Sequence, residues 1–135
     1  MSYEQMETRN QMNQMNQEQE LLVTTFQARM SELNEEGQEA FLWDTLSRLS
    51  HVSFETSGRG DKGGVPFSFE IRGREMFIDR KEKSLTYATV MMAFRKAKQL
   101  QYVKGPKMLG TFGASYLYPI FLKLGICQRS EKKEE

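Results

Sequence analysis

The fold of this chain is decided by the stretch VPFSFEIRGREMFIDR, residues 65–80. Apolar and polar side chains alternate along its first half, which is typical of a strand with one buried face. Gly73 and Arg74 can form a two-residue turn between two such strands. This turn predicts three cross-strand pairs: Arg72 with Glu75, Ile71 with Met76, and Phe69 with Ile78. A shift of one residue would destroy both the apolar and the charged matches, so the sequence specifies a hairpin in one register.

Two helices are predicted before this hairpin. Apolar residues recur every three or four positions after Glu20, which predicts a helix near 19–33. Asn34 is a favourable N-cap and is followed by two glutamates, which suit the positive end of a helix dipole. A second helix over about 35–50 is therefore predicted, and it should pack on the first.

A longer helix is predicted after the hairpin, with an apolar and a partly basic side. Ser84 can cap it, and nothing interrupts it before Gly105, so we place it near 85–103. Five residues at helical spacing form its core-facing side: Val90, Ala93, Phe94, Ala97 and Leu100. The opposite side is apolar at first, with Met91 and Met92, and becomes basic toward the end of the helix.

The C-terminal part of the chain is rich in glycine and then in apolar residues. Gly105 and Gly110 have the spacing of a phosphate-binding P-loop, but Thr111 and the next residue stand where Lys and Ser or Thr are required. This motif is therefore excluded. We predict instead a turn and a helix that Thr111 caps, that Pro119 kinks or restarts, and that Gly125 ends.

These elements predict one α+β domain over residues 19–126, with a glycine-rich linker at 57–64. Residues 1–18 are rich in Gln, Asn and Met, and we expect a disordered or partly helical tail there. Residues 127–135 are expected to form a charged C-terminal tail. Because an isolated hairpin is weak, the predicted one must pack on the helices or extend its sheet through a partner.

The sequence contains little material for a metal, redox or catalytic site. Cys127 is the only cysteine and His51 the only histidine, which argues against a disulfide and against a structural zinc. No set of residues specifies a reaction, so we expect a protein that is not an enzyme and needs no cofactor. The N-terminus lacks the features of a secretion signal and no apolar run could cross a bilayer, so we expect a cytoplasmic protein without membrane contact.

The charge is distributed unevenly along the chain, although the net charge is only +1. Residues 1–58 hold ten acidic and three basic residues, a net of −7, whereas residues 59–126 hold thirteen basic and five acidic residues, a net of +8. Such an asymmetry indicates either a polyanionic partner for the basic half or the docking of the two halves on each other.

The basic residues cluster around the predicted long helix. Cations precede this helix, lie on one of its sides and follow it, and its first turn adds backbone N–H donors that suit phosphate. We expect phosphate contacts from seven residues: Arg80, Lys81, Lys83, Arg95, Lys98, Lys104 and Lys107. For those within the helix, the alternative is a solvated surface. Tyr116 and Tyr118 could stack on bases, although such rings more often lie at the edge of a core.

This pattern favours a small nucleic-acid-binding or regulatory accessory protein, with DNA and RNA both compatible. The alternative is a protein-protein interaction module, an adaptor or a self-associating protein that uses the acidic helices and the methionine-rich surface. Seven cations on one exposed face would support the first function. Cations paired with the acidic residues of 18–44 would support the second.

Overall fold

The structure, a computed structural model, describes residues 16–56 and 64–129 and confirms the predicted α+β fold. Two short 3₁₀ turns lie at Met30–Glu32 and Pro106–Leu109. The helices and strands are α1 (Gln17–Arg29), α2 (Glu35–Arg48), β1 (Phe54–Glu55), β2 (Pro66–Phe67), β3 (Phe69–Arg72), β4 (Glu75–Ile78), β5 (Leu85–Thr86), α3 (Tyr87–Leu100) and α4 (Ala114–Lys123).

Parts of the predicted tails and linker lie outside the described residues, namely 1–15, 57–63 and 130–135. The described chain stays packed beyond α4, because Cys127 is buried. The next residue, Gln128, donates a backbone hydrogen bond to Gln101 and accepts one from Val103, both just after α3. No helix in the described part of the chain has the length and apolar character needed to span a bilayer.

Both N-terminal helices begin at asparagine caps. Asn16 forms a capping box with Gln19, in which each side chain accepts a hydrogen bond from the backbone N–H of the other residue. Asn34 accepts a hydrogen bond from the Gly37 backbone at 2.8 Å, as predicted. The two helices pack on each other, in part through the stacked rings of Phe26 and Phe41.

The predicted hairpin is confirmed in its register. The four observed β3–β4 pairs are Phe69 with Ile78, Glu70 with Phe77, Ile71 with Met76, and Arg72 with Glu75. Gly73 has a φ of 60° at the turn, which glycine adopts without steric cost. The apolar side faces the core, where Phe69, Met76 and Ile78 are buried.

One continuous segment joins two small sheets, because only Ser68 separates β2 from β3. β2 pairs with β1, and β3 pairs with β4, which in turn pairs with β5. At this joint the Asp79 carboxylate accepts a hydrogen bond from the Ser68 backbone at 3.1 Å, and the Asp79 backbone donates one to the Ser68 carbonyl. The side chain of Asp79 thus replaces a strand partner where the pairing changes.

The outer edge of β3 is occupied. The His51 backbone donates a hydrogen bond to the Phe69 carbonyl at 2.7 Å, and the Ser50 hydroxyl accepts one from the Ile71 backbone at 3.1 Å. Two hydrogen-bonding groups on this edge of β3 are thus satisfied within the chain, which leaves less of the edge open to a further strand. The hairpin also packs on α2, in line with one of the two possibilities that the sequence allowed.

The long helix α3 begins at Tyr87, two residues later than predicted. Leu85 and Thr86 form β5, so the helix can start only after this strand, and the Thr86 hydroxyl accepts the capping bond from Thr89. The Ser84 hydroxyl, which was expected to cap the helix, donates to the Glu75 carboxylate instead.

The predicted core-facing side of α3 is confirmed for its first four residues, which are fully buried, whereas Leu100 is partly buried. Met91 is also buried and packs with them, although it was expected on the opposite side. Met92 remains exposed. α3 ends at Leu100, three residues before its predicted end, where Gln101 adopts a φ of 66°.

The last helix, α4, is not capped by Thr111. Gly113 occupies the N-cap position with a φ of 77°, so the helix begins three residues beyond the predicted cap and has no side-chain cap. Pro119 lies inside the helix, which continues to Lys123. Leu117, Ile120 and other residues of its apolar side complete the core.

Candidate functional site

Two of the seven predicted cations contact the acidic N-terminal half. Arg95 forms a two-pronged ion pair with Glu39 of α2, at 2.6 Å from Nε to Oε2 and 3.1 Å from Nη2 to Oε1. Lys98 Nζ donates a hydrogen bond to the Gln38 side chain at 2.8 Å and lies 4.3 Å from the Phe94 ring centroid. These two side chains therefore join α3 to the start of α2.

The ion pair alters the titration of the carboxyl. Hydrogen bonds from Arg95 hold the pKa of the Glu39 carboxyl below its usual range, although partial burial acts in the opposite direction. The Glu39 side chain is only 13% exposed, so this pair is better shielded from water than the exposed Arg48–Asp44 pair on the same helix. Arg95 is thus paired within the chain, although its own side chain is 52% exposed.

Two other predicted cations, Lys81 and Lys107, line one cleft of about 380 Å³. The cleft lies between the second 3₁₀ turn and the start of α4, and Thr111, Ser115 and Tyr116 also line it. No acidic side chain in the described ranges contributes to its wall. Two ammonium groups without a nearby carboxylate give this cleft a positive charge that an anion can neutralise.

A glycine-bounded turn shapes the cleft. Gly110 and Gly113 have φ values of 68° and 77°, in the left-handed region that glycine tolerates. A Cβ on Gly113 would lie 2.5 Å from the Leu85 side chain, so the turn packs closely on β5. The side chain of Thr111 is held between these glycines, and its hydroxyl is buried without a hydrogen-bond partner in the described structure.

The start of α4 adds hydrogen-bond donors to the wall of the cleft. Ala114 and Ser115 lie in the first turn of this helix. The Ala114 N–H donates to the Thr111 carbonyl at 3.3 Å, whereas the Ser115 N–H makes no backbone hydrogen bond in the described structure. The positive end of the helix dipole favours negative charge there. Together with the lysines and the exposed Ser115, this arrangement suits a phosphate group better than any neutral ligand.

The remaining three predicted cations are close to the cleft lysines in sequence. Lys83 and Lys104 are exposed, two residues after Lys81 and three residues before Lys107. Arg80 Nε donates to the Pro66 carbonyl at 2.9 Å. Within the described part of the chain, none of these five cations lies within 4.0 Å of a carboxylate oxygen.

Phe112 was not predicted as a functional residue, yet it is the exposed ring of this region. It is 47% exposed, and Lys81 Nζ lies 4.2 Å from its ring centroid. An apolar residue in a glycine-rich, apolar stretch is usually assigned to the core. The signal that could have identified it is its place between a turn glycine and the start of a helix, where side chains project outward.

The two tyrosines considered for base stacking are less accessible. Tyr118 is fully buried, its hydroxyl donates to the Val103 carbonyl, and burial raises its pKa. Tyr116 is partly buried and packs edge to face on Phe67, with 5.0 Å between the ring centroids. Tyr118 therefore lies in the core, and Tyr116 keeps only part of its ring near the cleft.

His51 and Cys127 are not part of a metal-binding group in the described residues. Across residues 16–56 and 64–129, no group of three or more His, Cys, Asp or Glu side chains could hold a metal ion. His51 is exposed at a position with a φ of 72°. Burial raises the pKa of the Cys127 thiol to about 11, so at neutral pH it is protonated and weakly nucleophilic.

A second open surface lies between α1 and α2. Leu21 is 64% exposed and, with Leu22, Thr25 and Arg48, lines a cleft of about 500 Å³. Glu18 adds a negative charge to its rim. This surface differs from the lysine cleft in being largely apolar, with one acidic and one basic side chain.

Comparisons with known proteins find no relative for this chain: no family model matches it, and no curated protein or solved structure matches it either. The function of the protein must therefore be inferred from the side chains that the fold brings together.

Proposed function

We propose that the protein binds nucleic acid through its basic half, as a small cytoplasmic accessory or regulatory protein without catalytic activity. The observation that carries this proposal is the cleft in which Lys81 and Lys107 face no carboxylate of the described chain. Lys83 and Lys104 extend the contact along the strand, and Arg80 supports its edge. Arg95 and Lys98 have internal partners and contribute less than the sequence suggested.

Binding of this kind depends on salt and little on base sequence. Each phosphate that a lysine neutralises releases condensed counterions, so the affinity falls as the salt concentration rises. The slope of log K against log salt changes by about 0.7–0.9 for each phosphate contact. Nothing in the cleft is arranged to distinguish one base from another through its hydrogen-bonding edge.

The test is fluorescence anisotropy with labelled single-stranded DNA, RNA and duplex DNA over a series of salt concentrations. The double variant Lys81→Gln/Lys107→Gln should weaken binding at least tenfold near 0.1 M salt and flatten the salt slope by roughly 1.4–1.8. The matched control, Lys96→Gln/Lys123→Gln, removes the same charge away from the cleft and should have a much smaller effect. Equal losses in both variants, or no binding by the native protein at low salt, would contradict the proposal.

A second function is favoured by the contacts of Arg95 and Lys98. Arg95 pairs with Glu39, an acidic residue of 18–44, which is the contact expected of a protein-protein interaction module, whereas Lys98 contacts the neighbouring amide of Gln38. The open cleft at Leu21 offers an apolar surface. If that surface mediates self-association, sedimentation velocity should show a concentration-dependent dimer. Leu21→Glu should then return the protein to a monomer while leaving nucleic-acid affinity unchanged.

A further inference from the structure

We propose that Phe112 is a stacking platform for a nucleobase, and that the cleft therefore takes a single strand. This inference rests on the proposed function, because it names the form of nucleic acid that the same site accepts. It assigns a role to the one large aromatic side chain that the described structure leaves nearly half exposed beside the lysines.

The backbone of the turn that carries Phe112 is held by close packing, and the ring itself is 47% exposed. Gly110 and Gly113 bracket it with left-handed backbone conformations, and Gly113 packs against Leu85 so closely that no Cβ fits. Exposure of an apolar ring is unfavourable in water, so a ligand that buries it gains free energy.

Lys81 connects the ring to the phosphate-binding cleft. Its ammonium lies 4.2 Å from the Phe112 ring centroid, and its side chain also lines the cleft with Lys107. One nucleotide carries both groups that these side chains recognise, a phosphate for the ammonium and a flat base for the ring. A strand bound at Lys81 therefore brings a base within reach of Phe112.

Only an unpaired base presents its face in this way. In a duplex the base faces are covered by neighbouring pairs, so an exposed ring on a protein surface cannot stack on them without opening the helix. The two tyrosines considered for stacking are less suited, since Tyr118 is buried and Tyr116 packs on Phe67. Tyr102 is also exposed, at 37%, but it does not line the cleft. Stacking at Phe112 would favour single strands of any sequence, because every base has a face.

The experiment compares a 15-nucleotide thymidine strand with an abasic strand of the same length, which keeps the phosphates and removes the bases. The native protein should bind the thymidine strand about fivefold or more tightly than the abasic strand. Phe112→Ala should remove this difference, whereas Phe112→Trp should keep it. Phe112→Ala should leave the affinity for a 15-base-pair duplex unchanged, and the same measurement shows that the variant still folds.

The Lys107→Gln variant separates this inference from the proposed function. It should weaken binding of both single strands by the same factor, because it acts on phosphate alone. Equal binding of the thymidine and abasic strands by the native protein would overturn the stacking role and leave the phosphate contacts standing. Equal loss of duplex and single-strand affinity in Phe112→Ala would also overturn it. If the native protein bound neither strand, both the stacking role of Phe112 and the proposed nucleic-acid binding would be overturned.

Discussion

Two pairs of cations in the same basic half of the sequence have different surroundings. One pair is Arg95 and Lys98, and the other is Lys81 and Lys107. The first pair faces α2, where Glu39 and Gln38 receive its hydrogen bonds. The second pair faces a cleft without a described carboxylate. The role of a cation in this protein is therefore set by what the fold places across from it and not by the local density of charge. Variants at the cleft and variants at the contacts between α3 and α2 should therefore have different effects.

The largest expected effect comes from breaking the turn that shapes the cleft. In Gly113→Ala the new methyl group would overlap Leu85, and the positive φ would be strained, so we expect a loss of about 2–4 kcal/mol in the free energy of unfolding. Gly110→Ala is the matched control, because its φ is similar but its surroundings are open. It should cost about 1 kcal/mol. Urea unfolding measures both, and equal losses would contradict the close packing at Gly113.

The second prediction compares the two pairs of cations directly by nucleic-acid affinity. Arg95→Gln/Lys98→Gln removes as much charge as Lys81→Gln/Lys107→Gln but at side chains with internal partners. We expect it to weaken binding less than threefold, against tenfold or more for the cleft variant. Anisotropy titrations at one salt concentration are sufficient. The reverse order of the two variants would mean that α3, and not the cleft, carries the phosphate contacts.

The third prediction concerns the Glu39 carboxyl, whose pKa is lower in the folded than in the unfolded protein. Its contribution to stability is fully present above the ordinary pKa of 4.5 and is lost as the pH falls through the lower folded value. Glu39→Gln should therefore cost about 1 kcal/mol at pH 7 and almost nothing once the pH is below the folded pKa. Unfolding by urea at several pH values tests this.

Asp44→Asn is the control for Glu39→Gln. It breaks an exposed pair with Arg48 on the same helix, in which both side chains are more than half exposed, and should cost less than about 0.5 kcal/mol at pH 7. If the two variants lost the same stability at every pH, the Glu39 pair would be no better than an ordinary surface pair.

The smallest expected effect is that of Thr111→Val. The threonine hydroxyl is buried without a hydrogen-bond partner in the described structure, so replacing it with a methyl group should stabilise the protein by up to about 1 kcal/mol. If the hydroxyl donates to a bound phosphate, nucleic-acid affinity should fall slightly at the same time. Thermal unfolding and anisotropy follow the two effects separately. A loss of stability would show that the hydroxyl is hydrogen-bonded in the native protein.

The hairpin and the helices could be predicted because their signals are local. Alternation along Phe69–Arg72 together with Gly73 specified the β3–β4 register, and Asn34 marked the start of α2. The two-residue strands β1 and β5 could not be predicted, since two residues carry no periodicity. Because β5 occupies Leu85 and Thr86, α3 begins at Tyr87 and is capped by Thr86, whereas the sequence had suggested Ser84 as the N-cap.

The candidate site was harder to predict than the fold. Positive charge near the long helix was evident, but the sequence cannot show which cation meets an acid from a distant helix, as Arg95 meets Glu39 across 56 positions of the chain. Phe112 was overlooked for a related reason. Its exposure depends on the conformations of Gly110 and Gly113, which composition alone does not specify.

The pairing of β1 with β2 has a practical consequence for handling this protein. Thr56 and Val65 are joined by two hydrogen bonds, of 3.0 Å from the Thr56 backbone to the Val65 carbonyl and 2.9 Å from the Val65 backbone to the Thr56 hydroxyl. The ends of the intervening segment are therefore fixed next to each other by the fold. The entropy of closing a loop between them rises by about 0.6 kcal/mol for each doubling of its length. A fluorescent or affinity tag can be placed at 58–62, provided that Gly64 is kept, since a Cβ there would lie 1.6 Å from the Thr56 carbonyl.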